Sequence, residues 1–212
     1  MHTNTVTPDS RALQIRRAGA WCAAGGLLGI VEGIVTLSWP HQSTGEWFRY
    51  PHSEFWFVIF ELAYAFQHVL LIAGGIALLW LPAVRASRTA LIAARVAVAG
   101  LALLVVTELS AIALYDQRID SPLATAIATS FMLPTLLIGG GFTVAGIALM
   151  RQRRDRAGAR WLPVAVLAPG AYTFLVFIPL ITTAADFVAR LGISGWMLLF
   201  AVLGYALTRF DK

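Results

Sequence analysis

Six long apolar segments, separated by loops of alternating positive charge, constrain this 212-residue chain more than any other feature. Thirteen of its sixteen Lys and Arg residues lie in the N-terminal tail, the second and fourth loops and the C-terminal tail. Only Arg49, Arg118 and Arg190 lie in the other three loops. Because cytoplasmic loops carry the excess of Lys and Arg, this alternation predicts six transmembrane helices with both termini in the cytoplasm. The predicted spans are about 18–38, 55–81, 91–115, 122–150, 161–185 and 191–208.

The composition agrees with this class. With 58% hydrophobic and 13% charged residues, the chain has too few polar side chains to cover a soluble globule. We therefore predict an all-α polytopic membrane protein, a single six-helix domain over residues 18–208 with cytoplasmic tails over 1–17 and 209–212. The preference for Arg over Lys, with abundant Ala and Gly, is typical of a GC-rich bacterial genome, so the inner (plasma) membrane is the expected location.

The net charge of +5 does not predict binding to nucleic acid, because the basic residues flank the spans, where anionic lipid attracts them. The lipid bilayer is the expected partner. A single cysteine, Cys22, excludes an intrachain disulfide and a four-cysteine metal site. The sequence lacks HExxH, GxSxG and a phosphate-binding loop, and only His68 lies deep in a span, so a haem held by two histidines is not expected either. No cofactor is predicted.

Small residues mark one face of the first span. Gly25, Gly29 and Gly33 form a GxxxGxxxG ridge, which predicts close approach of another helix. Glu32, the only charge of this span, lies beside the ridge and should face protein rather than lipid.

The second span carries a polar stripe. Glu54, Glu61 and His68 are seven residues apart, and Tyr64 lies between the last two. Ionisable groups are costly in lipid, so the stripe should line the bundle interior or a water-filled cavity. Alternatively, Glu54 is only interfacial, and Glu61 and His68 only pair with neighbouring helices.

Three carboxyl groups lie at similar depth. Glu32, Glu61 and Glu108 are each about six or seven residues from the outer end of their spans, roughly 10 Å below the outer surface. If the first three spans are neighbours, the carboxyls could converge on one site that holds a proton or binds a cation. The alternative is three separate carboxyls, each paired locally.

Helix breakers predict irregular backbone in two spans. Pro134 and the glycines at 139–141 interrupt the fourth, and Pro169 with Gly170 interrupts the fifth, shortly before Tyr172. At the outer end of the fifth span, Asp186 and Arg190 are predicted to pair at the surface. Whether a metal binds is left open. His41 and His52 of the first external loop accompany Glu46 and Glu54, but without HxH or HxxH spacing.

These residues together predict an outward-facing polar pocket formed by Glu32, Glu61, Tyr64, His68 and Glu108. It would bind or transport a small cation or amphipathic amine linked to proton binding. One alternative is a non-catalytic subunit or scaffold, with a membrane protein partner or as a homo-oligomer. The other is an intramembrane enzyme that uses Glu61 and His68 on a lipid-like substrate, although about 10 Å along the helix separates them. The sequence favours a non-enzymatic role.

Overall fold

The computed structural model describes residues 8–152, 161–183 and 186–210, without the side chains of residues 8, 9, 183, 186 and 187. These ranges are helical and contain no strand. Six helical stretches within them are long and apolar enough to cross a membrane, which confirms the predicted fold class. We number them span 1 to span 6: Ser10–Leu37, Glu54–Trp80, Arg88–Leu114, Pro122–Arg151, Leu162–Thr182 and Val188–Thr208.

The orientation of the termini and the identity of the membrane stay predictions. Residues 1–7 and 211–212 and most of the strongly basic loop, residues 153–160, lie outside the described residues. The first helix starts at Pro8 rather than at residue 18. Ala12 and Ile15, assigned to the tail by the sequence, are buried against the bundle.

Several spans consist of more than one helical element. Span 4 is broken at Phe131, three residues before Pro134, whose ring and missing N–H disrupt the preceding turn. The glycine run was predicted to interrupt this span, but it lies inside a continuous helix. The helical elements, in order, are Pro8–Leu37, Glu54–Trp80, Pro82–Arg85, Arg88–Ala111, a 3₁₀ turn Ile112–Leu114, Pro122–Ser130, Met132–Arg151, Leu162–Tyr172, a π-helical segment Thr173–Phe177, Ile178–Thr183 and Asp186–Thr208.

The six spans form a closed ring. Each span packs against the next in sequence, and span 6 packs extensively against span 1. We call the end with loops 38–53 and 115–121 the aromatic end, and the opposite end the basic end. The ring interior towards the basic end is filled with apolar side chains, among them Leu71, Leu78, Leu101, Phe142, Phe200 and Leu203.

Span 1 approaches span 6 through glycines spaced by seven. A Cβ atom on Gly19 would lie 2.6 Å from Leu207 Cβ, and one on Gly26 would lie 2.7 Å from the Met197 carbonyl oxygen and collide with the Ala201 backbone. Gly33 faces span 6 in the same way. The absence of these side chains lets the two helices meet backbone to backbone.

The predicted ridge divides between two neighbours. A Cβ on Gly25 would lie 2.8 Å from Leu70 Cβ of span 2, and one on Gly29 would meet both Met197 Cγ at 2.7 Å and Gln67 Nε2 at 3.1 Å. Span 1 therefore joins span 2 to span 6. The close helix contact predicted from the ridge exists, but its span 6 side uses Gly19 and Gly26, which the GxxxG pattern did not include.

The loops at the aromatic end are tied together. An isolated β-bridge pairs Trp47 with Arg118. The Phe48 N–H donates to the Gln117 carbonyl at 3.0 Å, and Arg118 Nη1 lies 3.0 Å from Glu46 Oε2. The loop between spans 1 and 2 is thereby fixed to the loop between spans 3 and 4.

His52 is buried at the base of this loop. Its ring stacks on Phe60 at a centroid distance of 4.3 Å and meets the Trp39 ring at 5.5 Å. Burial, with a smaller contribution from the positive charge of Arg190, lowers the pKa of His52 from 6.5 to about 4.

We expect this histidine to make folding stability depend on pH. Between pH 6.5 and about 4 the unfolded chain binds a proton at His52 that the folded chain does not, so stability falls as the pH is lowered through this window. His52→Phe should flatten that fall, measured as the thermal unfolding midpoint in detergent at several pH values. The matched control is His41→Phe, since His41 is exposed in the same loop. Equal slopes for His52→Phe and the wild type would contradict the prediction.

Candidate functional site

A polar cavity of about 280 Å³ opens inside the ring towards the aromatic end. All five residues predicted to form a site line it. They come from three helices that short loops make neighbours: Glu32 from span 1, Glu61, Tyr64 and His68 from span 2, and Glu108 from span 3. We call this the polar cavity.

Its three carboxyl groups are buried. Glu32, Glu61 and Glu108 are 5%, 8% and 9% exposed. The carboxyls of Glu61 and Glu108 lie beside each other, and a hydrogen bond between them would require one shared proton because an ionised carboxylate only accepts. Among the described residues, both oxygens of Glu32 and one of Glu61 are buried without a hydrogen-bond partner. Buried polar atoms in native proteins are rarely left so, and these atoms therefore point to a donor supplied from outside the chain.

His68 is fixed by its own helix. Its Nδ1 lies 2.8 Å from the Tyr64 carbonyl oxygen, one turn earlier. A carbonyl only accepts, so Nδ1 carries the hydrogen of this bond and Nε2 is the acceptor of the neutral ring. Nδ1 also lies 3.8 Å from Glu108 Oε1. The acidic neighbour within ion-pair distance of His68 is thus Glu108 of span 3, a pairing that the spacing along span 2 did not reveal.

Tyr64 links the cavity to the end of span 1. The Thr36 hydroxyl donates to the Glu32 carbonyl oxygen at 2.8 Å, so the Tyr64 hydroxyl, 2.9 Å from Thr36 Oγ1, is the donor of their bond. The lone pairs of the Tyr64 oxygen remain available towards the cavity.

Gln67 lies beneath these groups. It is almost fully buried, and its Nε2 donates to Met197 Sδ of span 6 at 3.0 Å. Gly29 lies against both side chains, so any larger residue there would displace them. The ridge on span 1 has two roles here, close packing of the helices and room for the floor of the cavity.

Sequence reasoning missed the second half of the lining. Arg190 of span 6 lines the cavity instead of lying only at the surface. Its predicted partner Asp186 has no described side chain, and among the described carboxylates none lies within ion-pair distance of Arg190. The sequence offered one signal, because Arg190 is the only basic residue near the start of span 6, at the aromatic end.

Aromatic side chains form the opposite wall: Phe131 at the break of span 4, Phe177 at the end of the π-helical segment, and Trp196 of span 6. The Trp196 and Phe177 rings stack with centroids 4.9 Å apart, and Trp196 Nε1 donates to the Pro169 carbonyl at 3.1 Å. The irregular backbone predicted after Pro169 exists as this π-helical segment. Such segments often occur at functional sites because they redirect side chains.

The described residues contain no group of three His, Cys, Asp or Glu side chains placed to hold one metal ion. In and beside the first loop, the four candidate metal ligands each contact a different residue. Glu46 lies near Arg118 and Glu54 near Arg49, whereas His41 contacts Tyr50 and His52 stacks on Phe60.

Comparison with known proteins gives no match. No protein-family model, curated protein or solved structure matches the chain. The cavity itself is therefore the basis for assigning a function to the protein.

Proposed function

We propose that this multi-pass membrane protein binds an organic amine, as its ammonium ion, in the polar cavity in exchange with protons. The observation that carries the proposal is the carboxyl of Glu32. This residue is 5% exposed, and neither carboxyl oxygen has a hydrogen-bond partner among the described residues. A primary ammonium supplies three N–H donors and a positive charge to such a group.

The lining favours an organic cation over a bare metal ion. A metal ion needs several oxygen or nitrogen ligands at about 2.0–2.6 Å, and the described acidic and histidine side chains do not provide such a set. Aromatic rings, in contrast, attract ammonium groups through their negative faces. Tyr64, Phe131, Phe177 and Trp196 bring such rings to the same cavity as the carboxyls.

Proton exchange is part of the proposal because the buried carboxyls of Glu61 and Glu108 lie beside each other in this cavity. Two such carboxyls would hold a proton between them, and a bound ammonium would compete with that proton for the same oxygens. If the protein also transports the amine, it must open towards the basic end, where apolar side chains such as Phe142 and Phe200 now fill the ring interior. Competition between the proton and the amine for the same carboxyls would then couple amine transport to proton transport.

Thermal unfolding of the purified protein in detergent tests the proposal. We expect butylammonium chloride to raise the unfolding midpoint, because a ligand that binds only the folded state adds about 2.7 kcal/mol at 100 times its Kd. Tetramethylammonium chloride is the matched control, since it has the same charge but no N–H donor, and NaCl controls for ionic strength. Calorimetric titration in two buffers of different ionisation enthalpy should show proton release on binding. Equal shifts with all three salts, or none, would overturn the proposal.

A further inference from the structure

The polar cavity is not enclosed on all sides of the ring. The Pro122–Ser130 helix of span 4 packs against span 3 and the rest of span 4, whereas the Ile178–Thr183 helix of span 5 packs against span 6 and the π-helical segment. Within the described residues, these two helices make at most marginal contact with each other. We call the gap between them the 4–5 seam.

The seam joins the cavity to the surface that faces lipid. Ala128 on one side and Ile181 on the other both line the cavity, and both are exposed on the bundle. Of the Pro122–Ser130 helix only Ala124 is buried. Ala128 is six residues inside span 4, roughly 9 Å from its end, so the seam lies at the depth of hydrocarbon and not only of headgroups.

The two ends of this passage differ in chemistry. The inner end has three carboxyls, and one of them has no hydrogen-bond partner among the described residues. The outer end has the exposed apolar side chains of Ala128 and Ile181. A ligand that fits both must have a cationic head and a hydrocarbon chain. The carboxyls outnumber Arg190, the one guanidinium on the lining, which favours a head without a phosphate.

We infer that the ligand is a single-chain amphipathic amine, whose ammonium head binds the carboxyls of the polar cavity while its chain leaves through the 4–5 seam into the bilayer. This inference rests on the proposed function and adds the substrate class and the position of the chain. Only the ammonium head then needs to fit inside the cavity of about 280 Å³, so the cavity does not limit the length of the hydrocarbon chain.

Binding of two amines of different length tests the inference. Dodecylamine and butylamine are titrated by calorimetry against the protein in phosphatidylcholine nanodiscs, with dodecylamine concentrations corrected for its partition into the bilayer. We expect Ala128→Trp, which places bulk in the seam, to weaken dodecylamine binding at least about tenfold more than it weakens butylamine binding. Ile181→Trp should act in the same way from the other side. The matched control is Ala126→Trp, because Ala126 is exposed on the same short helix but does not line the cavity.

The outcomes separate this inference from the proposed function. If butylamine fails to bind the wild type, the proposed function fails. Suppose that butylamine binds the wild type. If both seam variants then bind dodecylamine as the wild type does, or if their affinities for both amines fall equally, the hydrocarbon chain does not lie in the seam. In that case only this inference is overturned. Binding of dodecylamine to the Arg190→Gln variant distinguishes an ammonium head from the head group of an aminophospholipid. A severalfold gain in dodecylamine affinity supports an ammonium head alone, whereas a loss, with competition by phosphatidylethanolamine, would overturn the single-chain amine in favour of an aminophospholipid.

Discussion

Replacing Glu32 with Gln should strongly weaken amine binding and leave the protein folded. The substitution keeps the shape of the side chain but removes its charge. A hydrogen bond to a charged group contributes about 1.5–3 kcal/mol, so its loss should weaken butylamine binding by about 10- to 150-fold. Because the Glu32 carboxyl has no hydrogen-bond partner in the part of the chain that the structure describes, the variant loses no internal bond of that part at this position. Binding is measured by calorimetry and folding by the thermal unfolding midpoint without ligand.

Glu54→Gln is the matched control for this variant. Glu54 begins span 2, is not among the residues that line the cavity, has a side chain that is 61% exposed, and lies 3.6 Å from Arg49. Its replacement should change neither binding nor stability appreciably, because an exposed carboxylate contributes little through an ion pair. If Glu32→Gln bound butylamine like the wild type, the carboxyl would not be part of a site. If it lost folded protein and binding together, Glu32 would have a structural role instead.

Gly26→Ala should strongly destabilise the ring at the contact between span 1 and span 6. The added Cβ would collide with the Ala201 backbone and lie 2.7 Å from the Met197 carbonyl oxygen, so the two helices would have to separate. Overpacking of this kind costs about 1–3 kcal/mol. Backbone atoms cannot move aside as a flexible side chain would. We expect a lower thermal unfolding midpoint and a smaller yield of monodisperse protein in mild detergent.

Gly140→Ala provides the control for this prediction. A Cβ at Gly140 would have no atom within 4 Å, although this glycine also lies inside a transmembrane helix. The same substitution there should be neutral or slightly stabilising, since Ala favours a helix over Gly by up to about 1 kcal/mol. An unfolding midpoint of Gly26→Ala equal to that of Gly140→Ala would show that the span 1–span 6 contact is looser than the structure indicates.

The sequence alone determined the fold class and the position of the spans. The predicted second span, 55–81, differs by only one residue at each end from Glu54–Trp80. This accuracy has a physical cause, because the length of a transmembrane helix is set by the bilayer and its ends by the change from apolar to polar residues. The first span was the exception. Its helix extends back to Pro8, since Ala12 and Ile15 pack on the bundle and continue the helix on the N-terminal side of residue 18.

The sequence also identified the acidic half of the cavity. Glu32, Glu61 and Glu108 could be predicted as neighbours because ionisable groups avoid lipid, their depths are similar, and short loops keep consecutive spans together. The role of the five predicted residues in binding stays a prediction, although all of them line one cavity.

Only the tertiary structure decided the rest. Arg190 and Trp196 reach the cavity because span 6 returns to span 1 and closes the ring, and contact between helices distant in sequence leaves no periodic signal in either one. The 4–5 seam likewise depends on two short helices that make at most marginal contact with each other, one before the break at Phe131 and one after the π-helical segment. Spacing along a helix fixes which residues share a face, but which faces meet is decided by packing between helices, through small residues such as Gly26 and Ala201.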